Sequence, residues 1–131
     1  MFGETTAYSG FSVDDLDAAR GFYGDVLGLT VEDAGPEGMR MLNLVLPGGA
    51  RILVYPKENH TPASFTILNF EVDDIDRAVD DLAGRGVTFA RYPGFETDDK
   101  GVVRGSGGGE GPAIAWFTDP AGNVIAVMSS G

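Results

Sequence analysis

An internal repeat constrains the fold of this chain of 131 residues more than any other feature. Residues 11–31 (FSVDDLDAARGFYGDVLGLTV) resemble residues 70–89 (FEVDDIDRAVDDLAGRGVTF). Both segments contain alternating apolar residues, then an Asp pair, a helical pattern and a glycine. The alternation predicts a strand with one apolar face, and the Asp pair is suited to cap a following helix. Each segment therefore predicts a strand followed by a helix.

A second repeat completes the pattern. Residues 41–55 (MLNLVLPGGARILVY) align with residues 114–128 (IAWFTDPAGNVIAVM), so that Pro47 matches Pro120 and Gly49 matches Gly122. Proline and glycine between apolar, β-branched runs are typical of a hairpin. We therefore predict an α+β fold, a single domain of two tandem βαβββ modules at about residues 1–58 and 64–131, linked near KENHTPAS.

Composition excludes several classes of partner. The chain has no cysteine and a net charge of −11, with 20 acidic against 9 basic residues. It therefore lacks thiolate chemistry, and its charge opposes binding to nucleic acids and anionic membranes. No apolar run approaches the roughly 20 residues that span a bilayer, and the N-terminus lacks the pattern of a signal peptide. We expect a cytoplasmic protein.

Two segments carry a family resemblance. DLDAARGFYGDVLGL (15–29) and FTDPAGNVIAV (117–127) resemble recurring motifs of the glyoxalase, bleomycin-resistance and extradiol-dioxygenase proteins, the vicinal oxygen chelate superfamily. The likeness covers nearly the whole chain. It implies that the two modules form a curved mixed sheet around a cavity and that the protein is a homodimer.

The resemblance also implies where a metal would bind. Metal-using members of the superfamily place ligands at four strand positions, which in this chain are Tyr8, Leu53, Ile67 and Ala126. None of the four is a histidine or a carboxylate, the donors that divalent metals need in such a site. We therefore expect no metal and no cofactor.

Strand alternation predicts the lining of the cavity, because residues that do not pack on the helices face the other way. We expect a mostly apolar trough with a few polar groups, which is typical of a small-molecule site. The alternative is that part of this set fills a closed core. The predicted ligand-contacting residues are Tyr8, Asn43, Arg51, Leu53, Tyr55, Ile67, Asn69, Arg104, Trp116, Ala126 and Met128.

The second module contains an insertion between Phe89 and Ala113 (ARYPGFETDDKGVVRGSGGGEGP). Connections longer than about 12–15 residues are usually functional lids or disordered segments. We expect residues 91–112 to form a lid over the cavity, with GSGGGEG as a flexible tether, and a disordered excursion is the alternative.

Few residues are suited to catalysis. His60, the only histidine, lies in the polar linker, where we expect it to be solvated, and no serine has a base at a recognisable spacing. Glu71 and Tyr8 are the remaining candidates for an acid or base.

Three functions fit these residues. We favour a metal-independent binding protein of the bleomycin-resistance type, which would confer antibiotic resistance by sequestering an aromatic antibiotic or toxic compound. The alternative is a metal-free isomerase or lyase that uses Glu71 or Tyr8, and a third is a binder of a housekeeping ligand. The expected partners are a small organic ligand and a second copy of the chain.

Overall fold

The computed structural model describes residues 1–105 and 112–130 and divides the chain into two compact units. Module 1 is Met1–Thr61 and module 2 is Pro62–Gly131. Module 1 contains β1 (Ser9–Val13), α1 (Leu16–Arg20), a π-helix (Gly21–Val26), β2 (Thr30–Ala34), β3 (Met41–Val45) and β4 (Arg51–Pro56). Module 2 contains β5 (Thr66–Glu71), α2 (Ile75–Gly84), β6 (Phe89–Ala90), β7 (Val103–Arg104), β8 (Ala113–Thr118) and β9 (Val124–Ser129).

Each module has one mixed sheet. In module 1 the strand order is β1-β4-β3-β2, with β1 parallel to β4 and the other pairs antiparallel. In module 2 the order is β5-β9-β8, with β5 parallel to β9 and with both β6 and β7 antiparallel to β8. The predicted α+β class with two tandem βαβββ modules is confirmed, and β6 and β7 together take the place of one strand in module 2. Within the described ranges, neither helix has the length and apolar character that crossing a membrane requires.

The second Asp of each repeated pair caps a helix. Asp15 accepts a hydrogen bond from the Ala18 amide at 3.1 Å, and Asp74 accepts one from the Arg77 amide at 3.1 Å. Both Asp residues have extended backbone, as N-cap residues do. The repeated Asp pair therefore corresponds to the same N-cap in both modules, at the point where a strand ends and a helix begins.

The first helix changes geometry after α1. The spacing of apolar residues predicts one α-helix through Leu27, but the structure forms a π-helix over Gly21–Val26, in which the Leu27 amide donates to Phe22 O at 2.9 Å. Tyr23 on this segment is fully buried, and its ring lies 5.7 Å from that of Phe11 and 5.2 Å from that of Phe22. Gly28, with φ of +76°, follows the helix.

Alternate strand residues form the core of each module. In module 1 the side chains of Val13, Leu42, Leu44 and Val54 have no solvent exposure, and they share the sheet face that carries the helix. In module 2 the equivalent cluster includes Ala115, Val127 and two residues of α2. We call the opposite face of each sheet, turned away from the module's own helix, its distal face.

The two hairpins share one turn. In the first hairpin the Leu46 amide donates to Ala50 O, and the Gly49 amide donates to Leu46 O. In the second, the Asp119 amide donates to Asn123 O, and the Gly122 amide donates to Asp119 O, so that all four bonds are 2.8–3.0 Å long. Both turn glycines have a positive φ, 93° at position 49 and 86° at position 122, a conformation that favours glycine. The predicted alignment of these two turns is therefore reproduced in their backbone geometry.

The edge strand of module 2 is interrupted. In module 1 Asp33 of β2 pairs with Leu42. The equivalent position in module 2 lies opposite Ala115, between Ala90 at the end of β6 and Val103 at the start of β7. Residues 91–102 thus stand where module 1 has Asp33 alone. The insertion is an excursion from the middle of an edge strand, after which the pairing register resumes.

Candidate functional site

The distal face of module 1 presents one row of residues across the whole sheet. Gly10 on β1, Leu53 on β4, Asn43 on β3 and Glu32 on β2 lie side by side in register. Because paired residues point to the same side of a sheet, this row faces away from the buried residues of the helix face. Asn43 and Leu53 therefore lie on the face that strand alternation predicted for them.

A cavity of about 570 Å³ lies against this face. Its volume falls within the roughly 300–1,000 Å³ that is usual for small-molecule sites. The structure brings together four predicted ligand-contacting residues here: Tyr8, Asn43, Arg51 and Leu53. The sequence-based prediction missed the rest of the lining, which has no periodic signal because it comes mainly from turns and strand ends: Thr6, Ala7, Ala34, Gly35, Met41, Gly49 and Ala50.

Several polar side chains of this cavity can form hydrogen bonds with a ligand. No hydrogen bond joins the Tyr8 hydroxyl or the side-chain amide of Asn43 to another residue that the structure describes. Arg51 Nη2 lies 3.5 Å from Glu32 Oε1, and both side chains are about half exposed. An exposed ion pair of this length contributes little to stability, so the Arg51 guanidinium is available to a ligand.

A serine and a histidine meet on the same face. Ser12 Oγ lies 2.7 Å from His60 Nδ1, and Ser12 pairs in register with Tyr55, whose side chain is 37% exposed. The Lys57 amide donates to Val13 O at 2.9 Å, and the His60 amide donates to Lys57 O at 3.1 Å, so the segment after β4 turns back over β1.

This contact corrects one expectation. His60 is half-buried rather than solvated, and a serine lies beside it. The pair could not be found from spacing, because 48 positions separate the two residues.

Module 2 has a smaller cavity, of about 370 Å³. It brings together three predicted site residues, Glu71, Arg104 and Met128, of which Glu71 and Met128 pair across β5 and β9. Glu71, the candidate base, is exposed at the end of β5. The other lining residues are small or apolar: Val103, Gly105, Pro112, Ala113, Ile114, Ser129 and Ser130.

The Arg104 guanidinium binds carboxylates of its own module. Its Nη2 and Nη1 lie 2.6 and 3.2 Å from the two carboxylate oxygens of Asp76 on α2, and its Nε lies 3.1 Å from Asp98. The hydrogen bond from Arg104 lowers the pKa of Asp76, and the same bond raises the pKa of Arg104. Arg104 therefore links β7 to α2, and the carboxylates of Asp76 and Asp98 balance its charge.

The described part of the insertion is packed. Val102 is fully buried against the core residues Ile75 and Val79, and Lys100 Nζ lies 3.3 and 3.1 Å from the carboxylates of Asp76 and Asp80. These contacts join the end of the insertion to α2. Most of the expected GSGGGEG tether, residues 106–111, lies outside the described residues.

Trp116 is already covered by rings of the insertion. It lies on the distal face of β8 in register with Ala126, and its ring centroid is 5.4 Å from that of Tyr92 and 5.1 Å from that of Phe95. Phe95 is 52% exposed. A ligand that stacks on Trp116 in module 2 therefore shares the indole with the rings of Tyr92 and Phe95.

The remaining predicted site residues lie on or next to the same face of module 2. Asn69 is exposed and pairs with Ala126, which is fully buried. Ile67 lies at an irregularity between Thr66 and Leu68, where the register of β5 against β9 shifts. The extra residue of such a bulge changes the direction of its side chain relative to a regular strand.

The four positions at which the superfamily binds metal do not fit an ion. Leu53 and Ala126 have no donor atoms in their side chains, nor does Ile67, and Tyr8 alone offers a phenolic oxygen. Within residues 1–105 and 112–130, no three histidine or carboxylate side chains are grouped so that they could hold a metal.

Comparison with known proteins identifies relatives of the whole chain. The model of the Glyoxalase/Bleomycin resistance protein/Dioxygenase superfamily matches residues 6–127. No curated protein shows significant sequence similarity.

Solved structures resemble the chain over almost its full length. TnmS3, an antibiotic binding protein from Streptomyces sp. CB03234, is 24% identical, with a TM-score of 0.66 and 98% of each chain covered. A superfamily member from Sphaerobacter thermophilus DSM 20745 is 23% identical, with a TM-score of 0.67 and coverage of 95% and 98%. The fosfomycin resistance protein FosX from Listeria monocytogenes is 12% identical, with a TM-score of 0.66 and coverage of 98% and 94%. At these identities the likeness shows the fold alone.

Proposed function

The chain belongs to the glyoxalase/bleomycin resistance protein/dioxygenase superfamily, and we propose that it is a metal-independent binding protein that sequesters an aromatic antibiotic or another toxic small molecule. The observation that carries the proposal is the cavity of module 1, where Tyr8, Asn43 and Arg51 offer donor groups beside apolar walls. Such a mixture of apolar surface and a few polar groups is the usual make-up of a small-molecule site.

Two further observations support binding over metal-dependent chemistry. The side chains at Leu53, Ile67 and Ala126 cannot ligate an ion, so this chain lacks the donor set that metal-using relatives need. One structural neighbour is an antibiotic binding protein, which agrees with a role in sequestration.

The test is calorimetric titration with planar antibiotics such as bleomycins and anthraquinone-type compounds, followed by mass spectrometry of the recovered ligand. We expect saturable binding, unchanged ligand, and no effect of prior dialysis against EDTA. Asn43→Ala should weaken the affinity about fivefold or more, whereas Asn59→Ala, an exposed position outside the cavity, should not. Loss of binding after chelation, with recovery on adding metal, would contradict the proposal.

A second candidate function is a metal-free isomerase or lyase. Glu71, which lines the cavity of module 2 beside Met128, is the observation that favours it, with Tyr8 as the alternative acid or base. A carboxylate at the mouth of an apolar cavity can act as a general base if a substrate places its proton within hydrogen-bond reach. Chemical conversion of a bound ligand that Glu71→Gln abolishes while affinity persists would establish this function instead.

We also propose that the protein is a homodimer. Two outer strands, β1 in module 1 and β5 in module 2, have edges that a symmetric partner can cover. The net charge of −11 opposes association but is screened beyond about 8 Å at physiological salt. Light scattering at micromolar concentration tests this directly, and a mass near 13.8 kDa would contradict it.

A further inference from the structure

We propose that the cavity of module 1 selects planar ligands that carry an anionic oxygen, and that Arg51 releases Glu32 to bind this oxygen together with Asn43. The inference rests on the proposed function, since it names the chemical class of ligand that the site takes. It follows from the charge of the lining, the pairing of Arg51 and the nature of the walls.

The charge of the cavity is opposite to that of the chain. The protein carries 20 acidic residues, yet none of them lines this cavity, whereas one arginine does. The other polar side chains of the lining are Thr6, Tyr8 and Asn43, each of which can donate a hydrogen bond. The three neutral side chains can both donate and accept hydrogen bonds, so Arg51 decides the preference of the site, and its guanidinium favours a ligand with a negative oxygen.

Arg51 is held more loosely by its carboxylate than Arg40 and Arg104 are. Its nearest carboxylate oxygen, on Glu32, is 3.5 Å away, whereas Arg40 reaches Asp17 at 2.9 Å and Arg104 reaches Asp76 at 2.6 Å. Glu32 itself is not part of the lining. Since a guanidinium binds a carboxylate or sulfonate best through two short parallel bonds, a ligand anion can replace the long contact to Glu32.

The walls determine the rest of the ligand. Leu53 and Met41 are half-buried on the distal face, and the Tyr8 side chain is 68% exposed beside them. Gly10 pairs in register with Leu53 and has no side chain, so β1 leaves the sheet surface beside Leu53 flat. A flat surface with a ring at its rim suits a planar apolar body with the anion at one end.

A matched pair of fluorescent probes tests the inference. Anilinonaphthalene sulfonate and N-phenyl-1-naphthylamine share one aromatic scaffold with a planar naphthalene ring and differ in the sulfonate, and both become bright when bound. We expect the sulfonate to bind at least tenfold more tightly. Arg51→Gln should weaken sulfonate binding about tenfold and leave the neutral probe unchanged, because only the charge-assisted contact is lost.

Two further variants give a signature that non-specific binding cannot produce. Glu32→Gln should strengthen sulfonate binding about two- to threefold, because it frees Arg51, whereas Glu58→Gln, with the same change of charge at an exposed position outside the cavity, should not. Arg20→Gln removes the same charge as Arg51→Gln from an arginine paired with Asp33, and it should change sulfonate affinity less than twofold.

The outcomes separate this inference from the proposed function. If both probes bind with equal affinity and Arg51→Gln affects neither, the site binds small molecules without selecting anions, and the inference is overturned while the proposed function stands. If Arg20→Gln weakens sulfonate binding as much as Arg51→Gln does, the effect is one of net charge, and the inference is again overturned. If neither probe binds at submillimolar concentration, the inference is overturned, and the titration with antibiotics decides the proposed function separately.

Discussion

Ser12 on β1 and His60 in the segment after β4 are joined side chain to side chain, with Oγ and Nδ1 2.7 Å apart. The pair extends the parallel pairing of β1 with β4, because the Lys57 amide also bonds to Val13 O. Together these contacts hold residues 57–60 against the distal face of module 1. They give a polar segment without regular structure a fixed path.

Removing this contact should loosen the segment. Ser12→Ala and His60→Ala should each raise the rate of tryptic cleavage after Lys57 about two- to tenfold under native conditions, because one hydrogen bond contributes about 0.5–1.5 kcal/mol to closing the segment. Limited proteolysis followed by mass spectrometry measures this rate. Ser9→Ala, on the same strand and exposed, is the control and should leave the rate unchanged. Equal cleavage of all variants would show that the pair does not restrain the segment.

Phe95 should control the emission of Trp116, the single tryptophan. Phe95→Ala removes one of the two rings packed on the indole, so we expect a red shift of the emission and about twofold stronger quenching by acrylamide. Phe65→Ala, an exposed phenylalanine of the same module with no ring contact to Trp116, is the matched control. An unchanged spectrum in Phe95→Ala would mean that the insertion does not cover Trp116 in solution.

The Asp119 carboxylate should stabilise the second hairpin. It is 4% exposed, and it accepts hydrogen bonds from the amides of Ala121 and Asn123 at 2.9 Å and from the Asn123 side chain at 3.0 Å. Asp119→Ala leaves these donors without their acceptor and should lower the free energy of unfolding by about 1–3 kcal/mol in urea. Asp99→Ala, at an exposed position, should change it by less than about 0.5 kcal/mol. Similar losses in both variants would contradict this assignment.

The bond between Asp76 and Arg104 predicts a dependence of stability on pH. Arg104 lowers the pKa of Asp76 in the folded protein, so the ionised carboxylate stabilises the fold above the unfolded pKa, and this contribution is lost as pH falls through the folded value. Asp76→Asn should therefore lower the melting temperature at pH 7, and the difference from the natural protein should shrink below about pH 4.

The matched control for this pH effect is Asp25→Asn, an exposed carboxylate outside the ion pairs of α2 and the insertion. Its melting temperature should follow that of the natural protein at both pH values. A difference for Asp76→Asn that is as large at pH 3 as at pH 7 would show that the ion pair is not its cause.

The elements that depend on neighbouring residues could be predicted from the sequence. The caps at Asp15 and Asp74 and the turn glycines Gly49 and Gly122 act within a few residues, so their patterns appear directly in the repeat. Strand alternation likewise placed Asn43 on the distal face. Repetition strengthened each of these predictions, because two copies of one pattern rarely arise without a shared structure.

The contacts between distant positions could not be predicted. The bond between Ser12 and His60 depends on how the chain turns after β4, and the burial of Val102 depends on the return of the insertion to α2. Arg104 was expected to offer its charge to a ligand, but Asp76 and Asp98, from two other segments, compete for it. Such choices are decided by tertiary packing, which periodicity does not record.

The interrupted edge strand of module 2 has a consequence for aggregation. An edge strand presents free amide and carbonyl groups that another chain can pair with. In module 2 this edge consists of two strands of 2 residues each, β6 and β7, so an approaching strand meets no continuous ladder. The unbroken 5-residue β2 of module 1 carries Glu32 and Asp33, whose charges repel a second copy. The equivalent edges of the two sheets are thus protected from pairing with another chain in different ways. Charged side chains protect the edge of module 1, and the inserted residues that interrupt the strand protect the edge of module 2.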